Sequence, residues 1–269
     1  MNQPFMSERE KAILRELEFK TKISVTDLAV KLNVTPETIR KDLRVLEEQQ
    51  KLRRIRGGAV AYAGISSEPP FLRKVSIAHF QKKLIGETAA AFIRDGETIV
   101  LAAGSTTLHL ARSIKDVKNV TIVTNSLAAA ETLKSRLECG LFNGKVIVLG
   151  GTSNPRQRST SGSITNQLLG HFYFDKAFIS CGGVSMEGIC GFDVDEASAT
   201  SIMMKKSQQV FLVADSSKFN QRALFHIDSL AAIDIVIADQ DKPEQWSKDI
   251  RIRDLGWINA SKHGEIPIF

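Results

Sequence analysis

Residues 28–59 constrain the fold most, because they contain a helix start, an amphipathic helix and a turn in close succession. Thr35 can cap the free N–H groups of a helix, Pro36 suits its first position, and Glu37 complements the positive end of its dipole. The apolar residues that follow recur at helical spacing: Ile39, Leu43 and Leu46. This pattern predicts an amphipathic helix over about residues 36–49.

A second, shorter helix is predicted immediately upstream, over residues 25–32, and only a two-residue turn separates it from Thr35. A first helix, capped by Ser7 and running to about Phe19, is expected to pack beneath this pair. Two helices joined by so tight a turn, the second with an exposed basic face, are typical of a helix-turn-helix. The residues that we expect to contact DNA from the second helix and its cap are Thr35, Thr38, Arg40, Lys41 and Arg44.

The chain continues from this helix into a basic hairpin, with four basic and no acidic residues between Gln49 and Val60. Gly57 and Gly58 supply a turn that needs positive φ. The apolar residues predicted to face inward are Leu52, Ile55 and Val60. We interpret the hairpin as a two-stranded wing whose basic side chains grip phosphates: Arg53, Arg54 and Arg56. A solvated basic hairpin is the alternative, but the tight turn, basic helix and basic wing together favour binding to double-stranded DNA.

The net charge of the chain, +6, also indicates a polyanionic partner. Residues 1–60 hold 13 basic and 9 acidic side chains, so +4 of that charge lies in less than a quarter of the sequence. A membrane surface would attract the same charge, but no basic amphipathic interfacial helix accompanies it. The chain shows no apolar signal segment and no run long enough to span a membrane, so we expect a soluble cytoplasmic protein.

The metal-ligating residue types show no ligand spacing, so we expect no metal site. The cysteines are odd in number, which favours a reducing compartment over a disulfide framework: they are Cys139, Cys181 and Cys190. The histidines are isolated from one another in sequence and are interpreted as surface or core residues: His79, His109, His171, His226 and His263.

A change of rhythm separates this N-terminal module, residues 1–60, from the rest of the chain. Residues 61–72, rich in Gly, Ser and Pro, are predicted to be a linker. Residues 73–269 alternate short apolar strands with helical patterns, which predicts an α/β domain with a mostly parallel sheet. The predicted strands lie at residues 97–103, 120–124, 145–149, 176–180, 209–214 and 234–238.

Polar loops rich in Gly, Ser or Thr follow several of these strands, and ligands of such sheets bind beyond the carboxyl ends of the strands. Each loop alone is equally explained by helix caps, and Lys218 alone by a solvated lysine. Their recurrence at one sheet edge favours a small phosphorylated ligand, with helix N–H groups and a lysine for the phosphate. Glu196 opens a later helix and either accepts hydrogen bonds from sugar hydroxyls or complements the helix dipole. The candidate ligand-binding residues are Gly104, Ser105, Thr106, Thr107, Thr124, Asn125, Ser126, Gly151, Asp193, Glu196 and Lys218.

These motifs in order resemble the DeoR family of bacterial transcriptional repressors of sugar metabolism. Residues 32–59 carry the signature LNVTPETIRKDLRVLEEQQKLRRIRGGA. The downstream motifs are GSTT at 104–107, TNS at 124–126, GG at 150–151, Phe192, Asp193 and Glu196 in the FD–E pattern, and DSSKF at 215–219. As a set they are specific to the family, and they span about residues 7–240.

The resemblance implies a winged helix-turn-helix joined to a domain similar to ribose-phosphate isomerases. Members of the family bind a phosphorylated sugar or related metabolite there, which changes their affinity for operator DNA. The resemblance assigns the phosphate side to residues 104–107, 124–126 and Lys218, and the sugar side to Asp193 and Glu196. It also implies a homodimer or homotetramer.

Two features depart from the pattern. Many relatives have an acidic residue where this chain has Ala102, which removes one polar contact to the sugar. The isomerases place a lysine near their catalytic glutamate, whereas residues 185–195 contain no lysine or arginine. A carboxylate base without that cation cannot stabilise an enediolate, so we expect no catalysis, no catalytic residue and no cofactor. An isomerase-like enzyme with an added basic module, and a DNA-binding protein whose α/β domain serves oligomerisation only, are the alternatives.

Overall fold

The computed structural model describes residues 7–20, 22–49, 51–61, 68–247, 249, 252 and 254–262. The chain divides into two compact units, Met1–Lys74 and Val75–Phe269. Within the described ranges, no helix has the length and apolar character that a membrane crossing requires. His263, which was predicted to be a surface or core residue, lies outside the described residues.

The first unit confirms the three predicted helices and the hairpin. Its elements are α1 (Glu8–Phe19), β1 (Lys22–Ser24), α2 (Val25–Lys31), α3 (Pro36–Glu48), β2 (Leu52–Ile55) and β3 (Gly58–Ala61). Ser7 and Glu10 form a capping box at the start of α1, and the Thr35 side chain accepts a hydrogen bond from the Thr38 backbone at the start of α3. The predicted apolar stripe is buried and joins the core that Ile13, Leu17 and Leu28 form beneath the helix-turn-helix.

The wing belongs to a larger sheet than the sequence predicts, because β1 pairs antiparallel with β3 and gives the order β1-β3-β2. Gly57 has the expected positive φ of 78°. Gly58 is required for a different reason, since a Cβ there would lie 1.9 Å from the Ile23 carbonyl oxygen. Leu52 is buried as predicted, whereas Val60 is only half-buried and Ala59 takes the buried position of β3.

The predicted linker, residues 61–72, lies partly outside the described residues, which omit 62–67. Strand β3 includes Ala61, and a short helix, α4 (Phe71–Ser76), begins within the predicted linker. Phe71 and Arg73 are buried, and the Arg73 guanidinium donates a hydrogen bond of 3.1 Å to the Leu17 carbonyl in the last turn of α1. The carbonyl groups in the last turn of a helix receive no hydrogen bond from within the helix. The Arg73 guanidinium supplies that missing donor to Leu17, and its positive charge complements the negative end of the helix dipole.

The second unit is the predicted α/β domain. Its helices are α5 (His79–Ala90), α6 (Ser105–Ser113), α7 (Leu127–Glu138), α8 (Ser163–Gly170), α9 (Val194–Lys205) and α10 (Glu244–Ser247), with short 3-10 turns at Ser216–Lys218 and Leu230–Ala232. Its strands are β4 (Thr98–Leu101), β5 (Val120–Thr124), β6 (Gly144–Val148), β7 (Thr152–Asn154), β8 (Ser159–Ser161), β9 (Phe174–Ile179), β10 (Gly183–Ser185), β11 (Gly188–Gly191), β12 (Ser207–Val213), β13 (Phe225–Asp228), β14 (Ile235–Ala238) and β15 (Gly256–Asn259).

In the described part of this unit, seven strands form a parallel sheet in the order β15-β14-β12-β9-β4-β5-β6. Alternate residues of a central strand enter different cores, which shows that both faces are covered: Ile99 and Leu101 pack with α5, α6 and α7, whereas Val100 packs with α8 and α9. The sequence did not predict the β7–β8 hairpin or the antiparallel sheet β10-β11-β13. Both insertions follow strands of the main sheet, so they extend the edge at which the candidate ligand site lies.

Candidate DNA interface and effector site

The outer face of α3 presents most of the residues predicted to contact DNA. Thr35, Arg40, Lys41 and Arg44 are exposed, and Thr38 is half-buried. Arg40 forms an exposed ion pair of 3.0 Å with Glu37, one turn earlier. Lys41 and Arg44 have no ion-pair or hydrogen-bond partner for their side chains among the described residues. Their charges are therefore available to DNA phosphates without first breaking an internal contact.

A bidentate ion pair fixes the recognition helix to the helix beneath it. Arg9 on α1 donates from Nε and Nη2 to the Asp42 carboxylate on α3, at 2.6 and 2.9 Å. Asp42 is buried, and a two-point contact of this kind fixes orientation as well as distance. The exposed face of α3 is therefore held by its apolar stripe and by this pair together.

The wing arginines do not share one environment. Arg53 and Arg56 are exposed and, within the described ranges, make no side-chain hydrogen bond or ion pair. Arg54 is also exposed, but its Nε donates to Glu47 on α3 at 2.6 Å. A phosphate contact from Arg54 would therefore compete with Glu47, whereas contacts from Arg53 and Arg56 would not.

The first candidate ligand loop leads from β4 into α6. Gly104 has an extended backbone, with φ of 170°, and a Cβ there would lie 2.1 Å from Ser180 Oγ. Glycine is thus required by close approach to a neighbouring strand end and not by an unusual φ. The Thr107 hydroxyl donates to the carbonyl oxygens of Ala102 and Gly104, at 2.7 and 3.0 Å. Ser105 and Thr106 are buried in the first turn, where the helix N–H groups have no intrahelical acceptor.

The second loop, residues 124–126, is buried and is hydrogen-bonded within the protein. The Thr124 hydroxyl donates to the Leu101 carbonyl, and the Ser126 hydroxyl caps α7. Asn125 accepts from the Ala103 backbone N–H at 2.9 Å and donates to the Thr160 carbonyl at 2.9 Å. These side chains join the first two loops to each other and to β8, so they shape the site by holding its backbone.

Hairpin β7–β8 brings Glu196 to the same edge. Ser159 forms a β-bridge with Ser126, and its hydroxyl donates to the Glu196 carboxylate at 2.5 Å. Asp193 caps α9 by accepting from the Glu196 backbone N–H at 2.9 Å. Gly151 has a φ of 151° and lies where a Cβ would be 2.0 Å from Thr165 Oγ1. Asp193 and Gly151 thus have evident structural roles, whereas Glu196 is placed beside the loops.

Lys218 lies at the same edge of the sheet, after β12, on the opposite side of β9 from β4. It lies in the 3-10 turn after β12, is half-buried, and has no hydrogen-bond or ion-pair partner for its ammonium group in the described part of the chain. Burial raises the pKa of the Cys181 thiol to about 12, and the charge of Lys218 acts in the opposite direction on that pKa, which places Lys218 near Cys181. Cys181 follows Ser180, whose hydroxyl donates to the Ala103 carbonyl. Lys218 and the α6 turn therefore flank the same short segment.

A buried ion pair that the sequence did not predict lies at this edge. Lys82 in the first turn of α5 lies 3.7 Å from Asp215 at the end of β12, with side-chain exposures of 2% and 0%. At this distance the two groups attract each other without a hydrogen bond. Asp215 also accepts from the Ser217 backbone N–H and hydroxyl, at 3.1 and 2.5 Å. Asp215 is the first residue of the DSSKF motif, and no sequence pattern predicts its pairing with a distant helix.

His109, which the sequence analysis interprets as a surface or core residue, is a buried residue of the second unit. It lies on α6 with 3% exposure, and its ring meets the His79 ring edge to face at a centroid distance of 4.9 Å. Its Nε2 atom has no hydrogen-bond partner in the described part of the chain. Burial, and then the positive charges of Arg112, His79 and Lys82, lower its pKa from 6.5 to about 4.

This pKa shift predicts acid destabilisation. Because the folded His109 binds a proton less readily than the unfolded one, the stability it contributes is complete above pH 6.5 and is lost as the pH falls toward 4. We expect the free energy of unfolding to fall by about 2 kcal/mol between pH 7.5 and pH 5 from this residue alone. Urea unfolding of wild type and His109→Gln at both pH values measures the difference. An equal pH dependence in the two proteins would exclude this role.

The observed architecture defines a class of protein: a winged helix-turn-helix DNA-binding module followed by a parallel α/β domain. Residues 9–63 match the family model for the DeoR-like helix-turn-helix domain, and residues 77–240 match the one for the DeoR C terminal sensor domain. The chain therefore belongs to the DeoR family and is a DNA-binding transcriptional regulator.

Similar full-length proteins carry corresponding descriptions. An uncharacterized HTH-type transcriptional regulator of Staphylococcus epidermidis is 41% identical over 79% of this chain and 83% of its own length. The HTH-type transcriptional repressor CsqR of Escherichia coli is 31% identical over 82% of this chain and 83% of its own length. A solved structure of ribose 5-phosphate isomerase A from Neisseria gonorrhoeae matches 52% of this chain and 53% of its own chain, with 18% identity and a TM-score of 0.37. A similarity at this level assigns no ligand to the present chain.

Proposed function

We propose that the protein represses a sugar or carbohydrate catabolic operon, and that a phosphorylated sugar bound in its α/β domain changes its affinity for operator DNA. The repressor CsqR among its relatives supports the direction of regulation, and the sensor description of the matched family supports a ligand-binding role for the second unit. The DNA contacts are assigned to the residues predicted from α3 and the wing, with Arg54 sharing its guanidinium with Glu47.

The observation that carries the ligand proposal is the pairing of a helix N-terminus with an unpartnered cation. The first-turn N–H groups of α6 have no acceptor within the helix, and Lys218 has no partner for its charge in the described part of the chain. Strands β4 and β12, which precede these two features, are both neighbours of β9. They are thus two strand spacings apart, about 10 Å, on one edge of the sheet. A phosphate with an attached polyol matches this combination of charge and polar backbone.

Glu196 is assigned to the sugar end of the ligand. Its carboxylate accepts a hydrogen bond from Ser159, which fixes its position, and carboxylate oxygens are acceptors that suit sugar hydroxyl donors. Residues 185–195 supply no lysine or arginine to stabilise an enediolate, which supports ligand binding without isomerase turnover. A homodimer or homotetramer is the proposed assembly, and a dimer predicts paired half-sites about one helical turn, or a multiple, apart.

A thermal-shift screen against sugar phosphates and their unphosphorylated parents tests the proposal. A ligand that binds only the folded state stabilises it by about 2.7 kcal/mol at a hundred times its dissociation constant. We expect at least one phosphosugar, and not its parent, to raise the melting temperature. Lys218→Ala is expected to weaken that ligand about tenfold or more, because a charged hydrogen bond is lost.

The matched control is Lys134→Ala, an exposed lysine on α7 whose side chain is 67% accessible. It removes the same charge away from the proposed site and should leave ligand affinity unchanged. Equal losses in both variants would show that only net charge matters. A phosphosugar that binds Lys218→Ala as tightly as wild type would remove Lys218 from the site.

A further inference from the structure

Two separate electrostatic effects disfavour a carboxylate at the position of Glu47. It lies in the last turn of α3, where the negative end of the helix dipole repels a carboxylate, and no basic residue lies in that turn to compensate. It also lies on the module that binds a polyanion, where a negative charge weakens association. Among the described residues, Glu47, unlike its neighbour Glu48, makes a specific contact that offsets this cost.

The structure contains that contact. One oxygen of the Glu47 carboxylate accepts from the Arg54 backbone N–H at 2.7 Å, and the other accepts from Arg54 Nε at 2.6 Å. The same two hydrogen bonds lower the pKa of Glu47, the side-chain bond first. A carboxylate that binds the main chain and the side chain of one residue fixes that residue in position and orientation.

The strand that Glu47 holds is the edge of its sheet. Because β2 lies outermost in the order β1-β3-β2, one side of its backbone has no strand partner among the described residues. Glu47 takes up one N–H on that open side and joins β2 to α3. Arg53 and Arg56, the wing residues without partners in the described ranges, flank Arg54 on either side. Their position relative to the basic face of α3 therefore depends on this contact.

We propose that Glu47 is a positioning residue for DNA binding, which fastens the wing to the recognition helix through Arg54. The proposal rests on the proposed DNA contacts of α3 and the wing. Its consequence is that Arg54 acts mainly inside the protein, while Arg53 and Arg56 contact phosphates. An acidic residue thereby strengthens the binding of DNA, which is opposite to the effect of its charge.

Glu47→Gln in the full chain distinguishes a charge effect from a positioning effect, because the two change the affinity for DNA in opposite directions. Removing a negative charge near DNA tightens binding if charge alone matters, whereas loosening the wing weakens it. We expect affinity for a fluorescein-labelled, mixed-sequence duplex to fall about tenfold, because the loss of two phosphate contacts is partly offset by the removal of a negative charge. The slope of log affinity against log salt concentration is also expected to become shallower by about two, as the contacts of Arg53 and Arg56 are lost. Fluorescence anisotropy at several salt concentrations measures both quantities.

Glu48→Gln is the matched control, because Glu48 is the next residue of α3, is exposed and, in the described part of the chain, has no hydrogen-bond or ion-pair partner. It should bind DNA as tightly as wild type or slightly tighter. Arg54→Lys provides a second test, since it keeps the charge but loses the Nε donor, and it should weaken binding in the same direction as Glu47→Gln. Melting curves of each variant establish that the module is folded.

A Glu47→Gln protein, or a folded Arg54→Lys protein if the first does not fold, that binds DNA like Glu48→Gln would overturn the proposal. In a double-mutant cycle, Glu47→Ala and Arg54→Ala together should cost little more than either alone. Additive losses would mean that the two residues act independently. If wild type itself shows no salt-dependent DNA binding, the proposed DNA contacts fail instead, so the two failures are distinguishable.

Discussion

Replacing Lys82 by methionine is expected to lower the free energy of unfolding by about 3–5 kcal/mol, because it leaves the charge of Asp215 buried without its partner. The two side chains are 2% and 0% exposed, so water cannot replace the lost attraction. Methionine keeps most of the volume of the lysine stem, which separates the charge effect from a packing defect. Urea unfolding followed by fluorescence reports on this domain, since Trp246 and Trp257 both lie within it.

Two controls isolate the pair. Lys83→Met alters the neighbouring lysine, whose side chain is 57% exposed and pairs with Glu87, and it should change stability by less than about 0.5 kcal/mol. Adding Asp215→Asn to Lys82→Met removes the buried charge while an amide oxygen still accepts from Ser217, so most of the lost stability should return. A Lys82→Met protein as stable as Lys83→Met would show that the ion pair between Lys82 and Asp215 does not stabilise the domain.

The second large effect is expected on DNA binding. Lys41→Ala combined with Arg44→Ala should lower affinity for duplex DNA about a hundredfold, because each removes a charged contact worth roughly tenfold. The slope of log affinity against log salt concentration should also become shallower by about two. Both side chains are exposed and lack partners in the described ranges, so neither change removes an internal contact. Fluorescence anisotropy over a salt series measures both effects.

A charge-matched double variant in the second unit, Lys83→Ala with Lys134→Ala, controls for net charge. Both lysines are exposed and each pairs with a glutamate one turn later. This protein should retain the affinity and salt slope of wild type. Equal losses of DNA affinity in the two double variants would mean that Lys41 and Arg44 make no specific contact with the phosphates.

Local rules were sufficient to predict the helices and the wing hairpin of the DNA-binding module. The cap Thr35, the helix-start proline Pro36 and the apolar stripe of α3 all act within a few residues of one another, and the structure has the helix where they predict it. Strand β1 was not predictable in the same way. It has three residues, and its existence depends on pairing with β3, which is far away in sequence.

The candidate ligand site shows the limit of sequence patterns more clearly. A hydroxyl that caps a turn and a hydroxyl that binds a phosphate have the same chemistry, and only the structure shows that Thr107 and Thr124 donate to backbone carbonyls. Lys82 carried no signal because its partner Asp215 is distant in the chain. Lys218 was identified correctly as a loop lysine near the sheet edge, and its contact with a phosphate stays a prediction.

The most direct test of the central claim is a titration of the full-length protein on an operator fragment selected from genomic DNA, with and without the phosphosugar found in the thermal-shift screen. We predict that the phosphosugar changes the dissociation constant for this fragment by about 5–150-fold, the usual range of coupling between two sites. The unphosphorylated parent should leave it unchanged, and Lys218→Ala should weaken the response. Tight, sequence-selective DNA binding that no phosphosugar alters would contradict the account and would favour an α/β domain that serves assembly alone.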